Sequence, residues 1–250
     1  MPDFTREAYR TLLQTLLARG YRVRRFQEAE PARPDLILRH DIDLSPEAAL
    51  PIARIEAELG LRAVYFFLLD SPIYAPDAPE SRSVYRELVA AGHEIGLHFD
   101  AARHPDDVAV LDREAAEACD RLAGLTGREV ETISFHRPAR ALLGRSAAIG
   151  GRLHTYQPRF FSSMDYCSDS RGRWRYGHPC SRASVTAGRA LQLLTHPIWW
   201  AHDDAGDREA AIGRLIAAKG KDIAAAVAET ISGYDPVSGR IRDETAVTDA

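Results

Sequence analysis

The stretch Leu36-Ile-Leu-Arg-His-Asp-Ile-Asp43 constrains this chain more than any other. A short apolar run of this length reads as a buried strand. It gives way to His40, Asp41 and Asp43. Two carboxylates and an imidazole are costly to bury unpaired. In α/β folds the C-terminal end of a strand is where sites collect. Such groups either pair with one another and with arginines, or they hold a metal. Asp41 and Asp43 are two apart on an extended chain and share an orientation, while His40 faces the other way in a supporting hydrogen-bond role.

The rest of the chain repeats the same construction. Thr5 is placed to cap a helix running to about Ala18, with Tyr9, Leu12, Leu13, Leu16 and Leu17 on one face. Ser45-Pro46-Glu47 predicts a helix start, with Ser at N-cap and Pro at N1, running to about Leu59. The continuous apolar run Ala63 to Leu69 marks a parallel strand covered on both faces. A helix over Ser81–Ala91 precedes a strand over His93–His98, and a helix from Asp106 to about Leu125 precedes a strand over Val130–Phe135. The stretch Tyr156 to Ala187 reads as short strands and loops over the site, and Leu191–Thr195 as a late strand. A final amphipathic helix is expected over Arg208–Ile231. This alternation argues for βα units around a parallel sheet or barrel.

Bulk properties remove several classes of function. A net charge of -4 and a pI near 6.1 give no electrostatic footprint for nucleic acid. No apolar run approaches the roughly 20 residues of a membrane span. The N-terminal stretch has no basic and apolar regions of a secretory signal. The three cysteines, Cys119, Cys167 and Cys180, lack metal-type spacing. The expectation is a cytoplasmic protein with reduced thiols.

Four strand ends carry site-like residues: His40-Asp-Ile-Asp43, His98 with Asp100, His136-Arg137, and Thr195-His196. A lone histidine at a strand end is usually satisfied by a carboxylate or carbonyl, and His93, His154, His178 and His202 are read that way. Four ends supplying Asp and His are different, because in a parallel fold they point to one place. Nitrogen and carboxylate oxygen together suit Zn2+ or another borderline divalent ion, with Co2+, Ni2+ and Fe2+ as alternatives. A site with three protein ligands keeps an open position, where water can ionise near pH 7.

The motifs His40-Asp-Ile-Asp43, Gly92-His-Glu-Ile-Gly-Leu-His98, Phe135-His-Arg-Pro138 and Leu194-Thr-His-Pro197 resemble those of the polysaccharide deacetylase family. This is the NodB-homology or carbohydrate esterase 4 family, and the closest likeness is to a branch found among surface-polysaccharide genes. Order and spacing fit from about residue 36 to 200. The resemblance implies a distorted, incomplete (β/α) barrel. It implies a single NodB-like domain over 1–232 with an N-terminal helical extension, followed by a polar tail, 233–250, expected to lack fixed structure.

Residue roles follow from the same resemblance. Asp41 looks like the catalytic base, Asp43 the first metal ligand and His98 the second. Arg137 resembles the arginine that orients the base carboxylate, and His196 the general acid. Asp169 and Trp174 resemble the pair that buttresses this acid and walls the site. The family's third ligand falls here on Ala102, which cannot bind a metal. His136, Asp100 and His104 are the candidate replacements. His136 shares the side-chain direction of Ser134, which can aim it inward, and is favoured.

The implied activity is metal-dependent removal of an acetyl group from an N-acetylated sugar or surface-polysaccharide precursor. Trp174, Trp199, Trp200, Tyr156 and Tyr166 are candidates to line a sugar cleft. Two other classes compete: a hydrolase of another amide, such as a ureide or cyclic imide, and a non-catalytic carbohydrate-binding relative. Oligomeric state is not legible in the sequence.

Overall fold

The computed structural model describes residues 4–203, 208–232 and 234–241. The chain divides into two compact units, Met1–Ala205 and Gly206–Ala250.

In the first unit a helix α1 (Arg6–Ala18) leads into the strands β1 (Arg22–Val23) and β2 (Asp35–Ile42). Thr5 caps α1 by accepting from the Ala8 N–H at 3.1 Å. Next come α2 (Ala49–Glu58), β3 (Val64–Leu68), α3 (Pro79–Ala90), β4 (Glu94–Phe99), α4 (Val108–Thr126) and β5 (Thr132–Phe135). The remainder comprises β6 (Leu153–His154), α5 (Pro158–Phe161), β7 (Asp165–Ser168), α6 (Ala183–Thr186), β8 (Leu191–Thr195) and α7 (Pro197–Trp200). Helix α2 begins later than Ser45-Pro46 predicts. Ser45 Oγ accepts from the Ala48 N–H at 3.3 Å, and a turn over residues 46–48 intervenes before the helix proper.

All the strands of this unit are parallel, in the order β6-β5-β4-β3-β2-β8-β7, with β1 on the first residues of β2. The edge strands β6 and β7 are not paired with each other, so the sheet curls with its helices into a distorted, incomplete (β/α) barrel. Parallel pairing forces each connection to cross over, which brings every strand's C-terminal end to one rim.

Strand parity decides what occupies each face. On β2, Leu36, Leu38 and Ile42 join the large apolar cluster shared with α1, α2, α3 and α4, whereas Ile37 joins a second cluster with Phe26, Phe66, Phe160 and Met164. Ile95, Leu97 and Phe99 of β4 and Ile133 and Phe135 of β5 likewise belong to the first cluster. The intervening positions, Arg39 and Asp41, Gly96 and His98, and Ser134, therefore face the concave interior. Gly96 is required there: a Cβ would lie 2.4 Å from the Phe66 ring.

The helix side of β2 holds a buried polar cluster. Glu56 of α2 is fully buried and accepts from Tyr9 Oη and Tyr65 Oη, each at 2.6 Å, and pairs with His40 Nε2 at 2.7 Å. His40 Nδ1 lies 2.7 Å from Thr195 Oγ1. Burial alone would raise the Glu56 pKa, but His40 and His93 and the hydrogen bonds from His40 and Tyr65 hold it below the ordinary value.

The second unit contains α8 (Arg208–Thr230), a single helix of 23 residues, and a short antiparallel hairpin of β9 (Tyr234–Asp235) and β10 (Arg240–Ile241). Part of the stretch expected to lack structure thus forms a paired turn, because Asp235 accepts from the Val237 N–H and the Ser238 hydroxyl. Residues 233 and 242–250 of that stretch lie outside the described residues. No helix among the described residues is long and apolar enough to cross a membrane.

Candidate metal centre and acid–base site

Three strand ends converge on one point of the rim. Asp43, just past β2, His98 of β4 and His136, just past β5, bring together Asp43 Oδ1, His98 Nε2 and His136 Nδ1. The separations are 3.0 Å from Oδ1 to His98, 3.2 Å from Oδ1 to His136 and 3.3 Å between the nitrogens. Three ligands on a tetrahedral ion with bonds of about 2.0–2.1 Å would stand about 3.4 Å apart. Asp43 Oδ1 is buried without a donor in hydrogen-bonding geometry. The donor set, its spacing and this orphaned oxygen fit a divalent cation.

The ligand tautomer is prepared from behind. His98 Nδ1 lies 2.6 Å from Ser134 Oγ, whose hydroxyl donates to Asp41 Oδ1 at 3.4 Å. Ser134 therefore accepts from Nδ1–H, and Nε2 presents its lone pair toward Asp43, as a ligating imidazole requires. His136 owes its place to parity with Ser134 on the adjacent strand. Its N–H to Phe99 O bond, at 3.0 Å, carries the β4–β5 ladder one residue beyond β5.

The other third-ligand candidates lie elsewhere. Asp100 forms a two-pronged pair with Arg137, and His104 stacks on Phe99 at 5.1 Å between centroids. Ala102 is exposed on a short turn.

Asp41 sits beside this triangle, with Oδ2 3.7 Å from His98 Nε2. Its carboxylate is gripped by Arg39: Nε donates to Oδ1 at 3.0 Å and Nη2 to Oδ2 at 2.8 Å. Both side chains are almost wholly buried. Burial opposes the charge on Asp41, but Arg39, helped by His98 and His196, holds its pKa below the ordinary carboxylate range. The expected orientation of Asp41 by Arg137 is not what the structure shows. Arg137 follows His136 in a bend just past β5, and its guanidinium goes to Asp100.

His196 closes the opposite side. Its Nδ1 is 2.6 Å from Asp169 Oδ1, and its backbone N–H also meets that carboxylate, at 3.1 and 3.0 Å. Nε2 then faces the site, 3.7 Å from Asp43 Oδ2. Burial disfavours the imidazolium, but the carboxylates of Asp169, Asp43 and Asp41 raise the pKa to about 9. A bound cation would cancel the contribution of Asp43. Asp169 is fully buried, and its second oxygen accepts from Trp200 Nε1 at 2.6 Å.

The aromatic residues divide between core and cleft. Trp200 is core, wedged against Phe4, Tyr9 and Trp174, and does not line a cleft. Trp199 lines the small cleft formed with Asp41, Asp43, Ser45 and His196. Trp174, half-buried, stacks on Phe4 and meets His178 edge-on. His93 is satisfied internally by Ala63 N–H and Ala53 O, whereas His154 meets Ala147 O through Nε2 and leaves its buried Nδ1 without a hydrogen-bond partner.

No known family model matches the sequence, and no curated protein matches it either. Solved structures do match. One is a family 4 carbohydrate esterase from Bacillus anthracis, 16% identical, covering 85% of this chain and 86% of that one, with a TM-score of 0.41. Another is the Streptococcus pyogenes deacetylase PplD in complex with acetate, 13% identical, covering 78% and 84%, with a TM-score of 0.44. A third is a family 4 acetyl xylan esterase from Clostridium thermocellum in complex with a cobalt ion, 13% identical, covering 65% and 73%, with a TM-score of 0.38. These carbohydrate esterase family 4 proteins are what the chain is similar to, at 13–16% identity. What its site can do rests on the side chains described above.

Proposed function

We propose that this protein is a metal-dependent hydrolase that removes the acetyl group from an N-acetylated sugar or surface-polysaccharide precursor. One observation carries the reading: a three-ligand triangle with a tethered carboxylate on one side and a carboxylate-backed imidazole on the other. Asp43, His98 and His136 would hold the ion, with Zn2+ the best match to two nitrogens and one oxygen. When bound, the ion polarises the acyl oxygen and eases ionisation of water.

Asp41 serves as the base, because Arg39 keeps it ionised and its Oδ2 faces the triangle. His196 serves as the acid: Asp169 fixes the proton-bearing Nδ1 and leaves Nε2 to protonate the departing nitrogen. An amine is a poor leaving group, so an acid and a base on opposite sides of one carbonyl are what the reaction needs. Trp199 supplies an aromatic wall suited to the C–H face of a pyranose ring. Three free cysteines fit a reducing compartment such as the cytoplasm.

The test is acetate release from a panel of N-acetylhexosamines and their oligomers by protein loaded with Zn2+ or Co2+. Release from at least one, abolished by chelation and restored by metal, is expected. Activity confined to ureides or cyclic imides would move the assignment to another amide. Absence of bound metal and of any turnover would leave a carbohydrate binder.

A further inference from the structure

We infer that Arg39 is the positioning residue of this site, aiming Asp41 at the reacting water in place of the arginine expected at 137. The inference rests on the hydrolase reading above and deepens it.

The geometry is that of a built-in fork. Arg39 and Asp41 are two apart on β2 and share the interior face, so the guanidinium reaches the carboxylate along its own strand. Both donors fall on the carboxylate, one per oxygen, at 3.0 and 2.8 Å. A bidentate pair fixes the carboxylate plane, which a single hydrogen bond does not. The fork is itself clamped. Its remaining arm, Nη1, donates to Gln192 Oε1 on β8 at 3.2 Å. Gln192 is held in turn by Nε2 donation to Thr155 O at 3.3 Å and Phe160 O at 3.0 Å. The guanidinium carbon stands 5.7 Å from the Phe66 ring centroid and 5.8 Å from that of Tyr156. Arg39 is 1% exposed, so no water competes for its donors.

Position 137 offers none of this. Arg137 is 59% exposed and spends its donors on Asp100. The orienting role has a candidate on the same strand as the base, and the barrel interior between β2 and β8 is built to hold it.

This arrangement separates positioning from mere structural support. A lysine at 39 keeps the charge but loses the fork, so the carboxylate plane is free to turn. The discriminating assay uses Co2+-loaded protein and 4-nitrophenyl acetate, whose leaving group needs no proton and therefore reports the base step. Arg39→Lys is expected to lower kcat at least tenfold per bound Co2+ while KM changes less than threefold. Arg137→Gln is expected to keep kcat within threefold. If Arg39→Lys folds poorly, Gln192→Met leaves the Arg39–Asp41 fork in place and removes the clamp on Nη1 together with the two bonds from Gln192 to Thr155 O and Phe160 O, and a kcat loss of threefold or more at unchanged metal stoichiometry is expected. A purely structural role would reduce the folded, metal-loaded fraction and leave kcat per Co2+ unchanged. That result, or kcat within threefold of wild type in both Arg39→Lys and Gln192→Met, overturns the inference alone. Wild-type protein that binds Co2+ yet releases acetate from neither this ester nor an N-acetylated sugar overturns the hydrolase reading and the inference with it.

Discussion

Glu56 is the side chain whose loss the fold should feel most sharply. It is a fully buried carboxylate facing Tyr9 of α1, Tyr65 of β3, His40 of β2 and His93 before β4. Replacing it with leucine leaves the two hydroxyls and the His40 N–H without their acceptor. A buried donor stripped of its partner costs about 1–3 kcal/mol. Three at about 1–2 kcal/mol each give a loss of about 3–6 kcal/mol for Glu56→Leu, read by urea denaturation. For a chain of this size that corresponds to a fall in Tm of about 6–24 °C. The triple variant Tyr9→Phe, Tyr65→Phe, Glu56→Leu removes two of the orphaned donors and should recover about 2–4 kcal/mol of the loss. The charge adds a pH signature. The folded pKa of Glu56 lies below its ordinary value of 4.5, so its stabilisation is complete above that value. It is lost as pH falls further, through the folded pKa, and Glu56→Gln should flatten this acid limb. A Glu56→Leu variant within about 1 kcal/mol of wild type, or a triple variant no more stable than the single one, would refute the account of the cluster.

Other outcomes follow from the site and the sheet. Asp43→Ala and His136→Ala should each abolish stoichiometric Zn2+ binding in calorimetric titration; full stoichiometry in either would remove that residue from the ligand set. Wild-type protein at a free metal concentration 100 times Kd should gain about 2.7 kcal/mol in denaturant titration, a gain both variants should lack. His196→Ala should keep its metal but release acetate from an N-acetylated sugar about 10²–10⁴-fold more slowly; an unchanged rate would place the acid elsewhere. Gly96→Ala should cost about 1–3 kcal/mol by thermal denaturation, because its new methyl group would meet the Phe66 ring.

Much of the architecture could be read from period alone. The strand over Leu191–Thr195 has those same ends in the structure, since an apolar run bounded by Arg189-Ala190 and His196-Pro197 leaves little room to shift. His136 was reachable because Ser134, two residues back, shares its face. Arg39 was harder to see. It stands between the apolar run Leu36–Leu38 and His40, and only its parity with Asp41 marks it as the partner of that carboxylate. Motif order pointed to Arg137 instead, but the bend past β5 sends that guanidinium to Asp100, and order along the chain carries no information about that. Glu56 left a fainter signal, a charged residue on the stripe of Ile52, Ala53 and Ile55 in α2. What buries it is three other elements, and their docking is not written in any local pattern. The link from Trp200 to Asp169 is likewise tertiary, joining α7 to the loop after β7.

Strand β2 works as text read in two interleaved frames. One frame spells Leu36, Leu38, His40 and Ile42 to the helices; the other spells Ile37, Arg39, Asp41 and Asp43 to the interior. A one-residue insertion or deletion before Arg39 would transpose the two messages, sending three charges into packed hydrocarbon and apolar residues to the rim. Substitutions in β2 can be judged one face at a time, but a change in its length cannot, and this short segment should tolerate indels least of any in the chain.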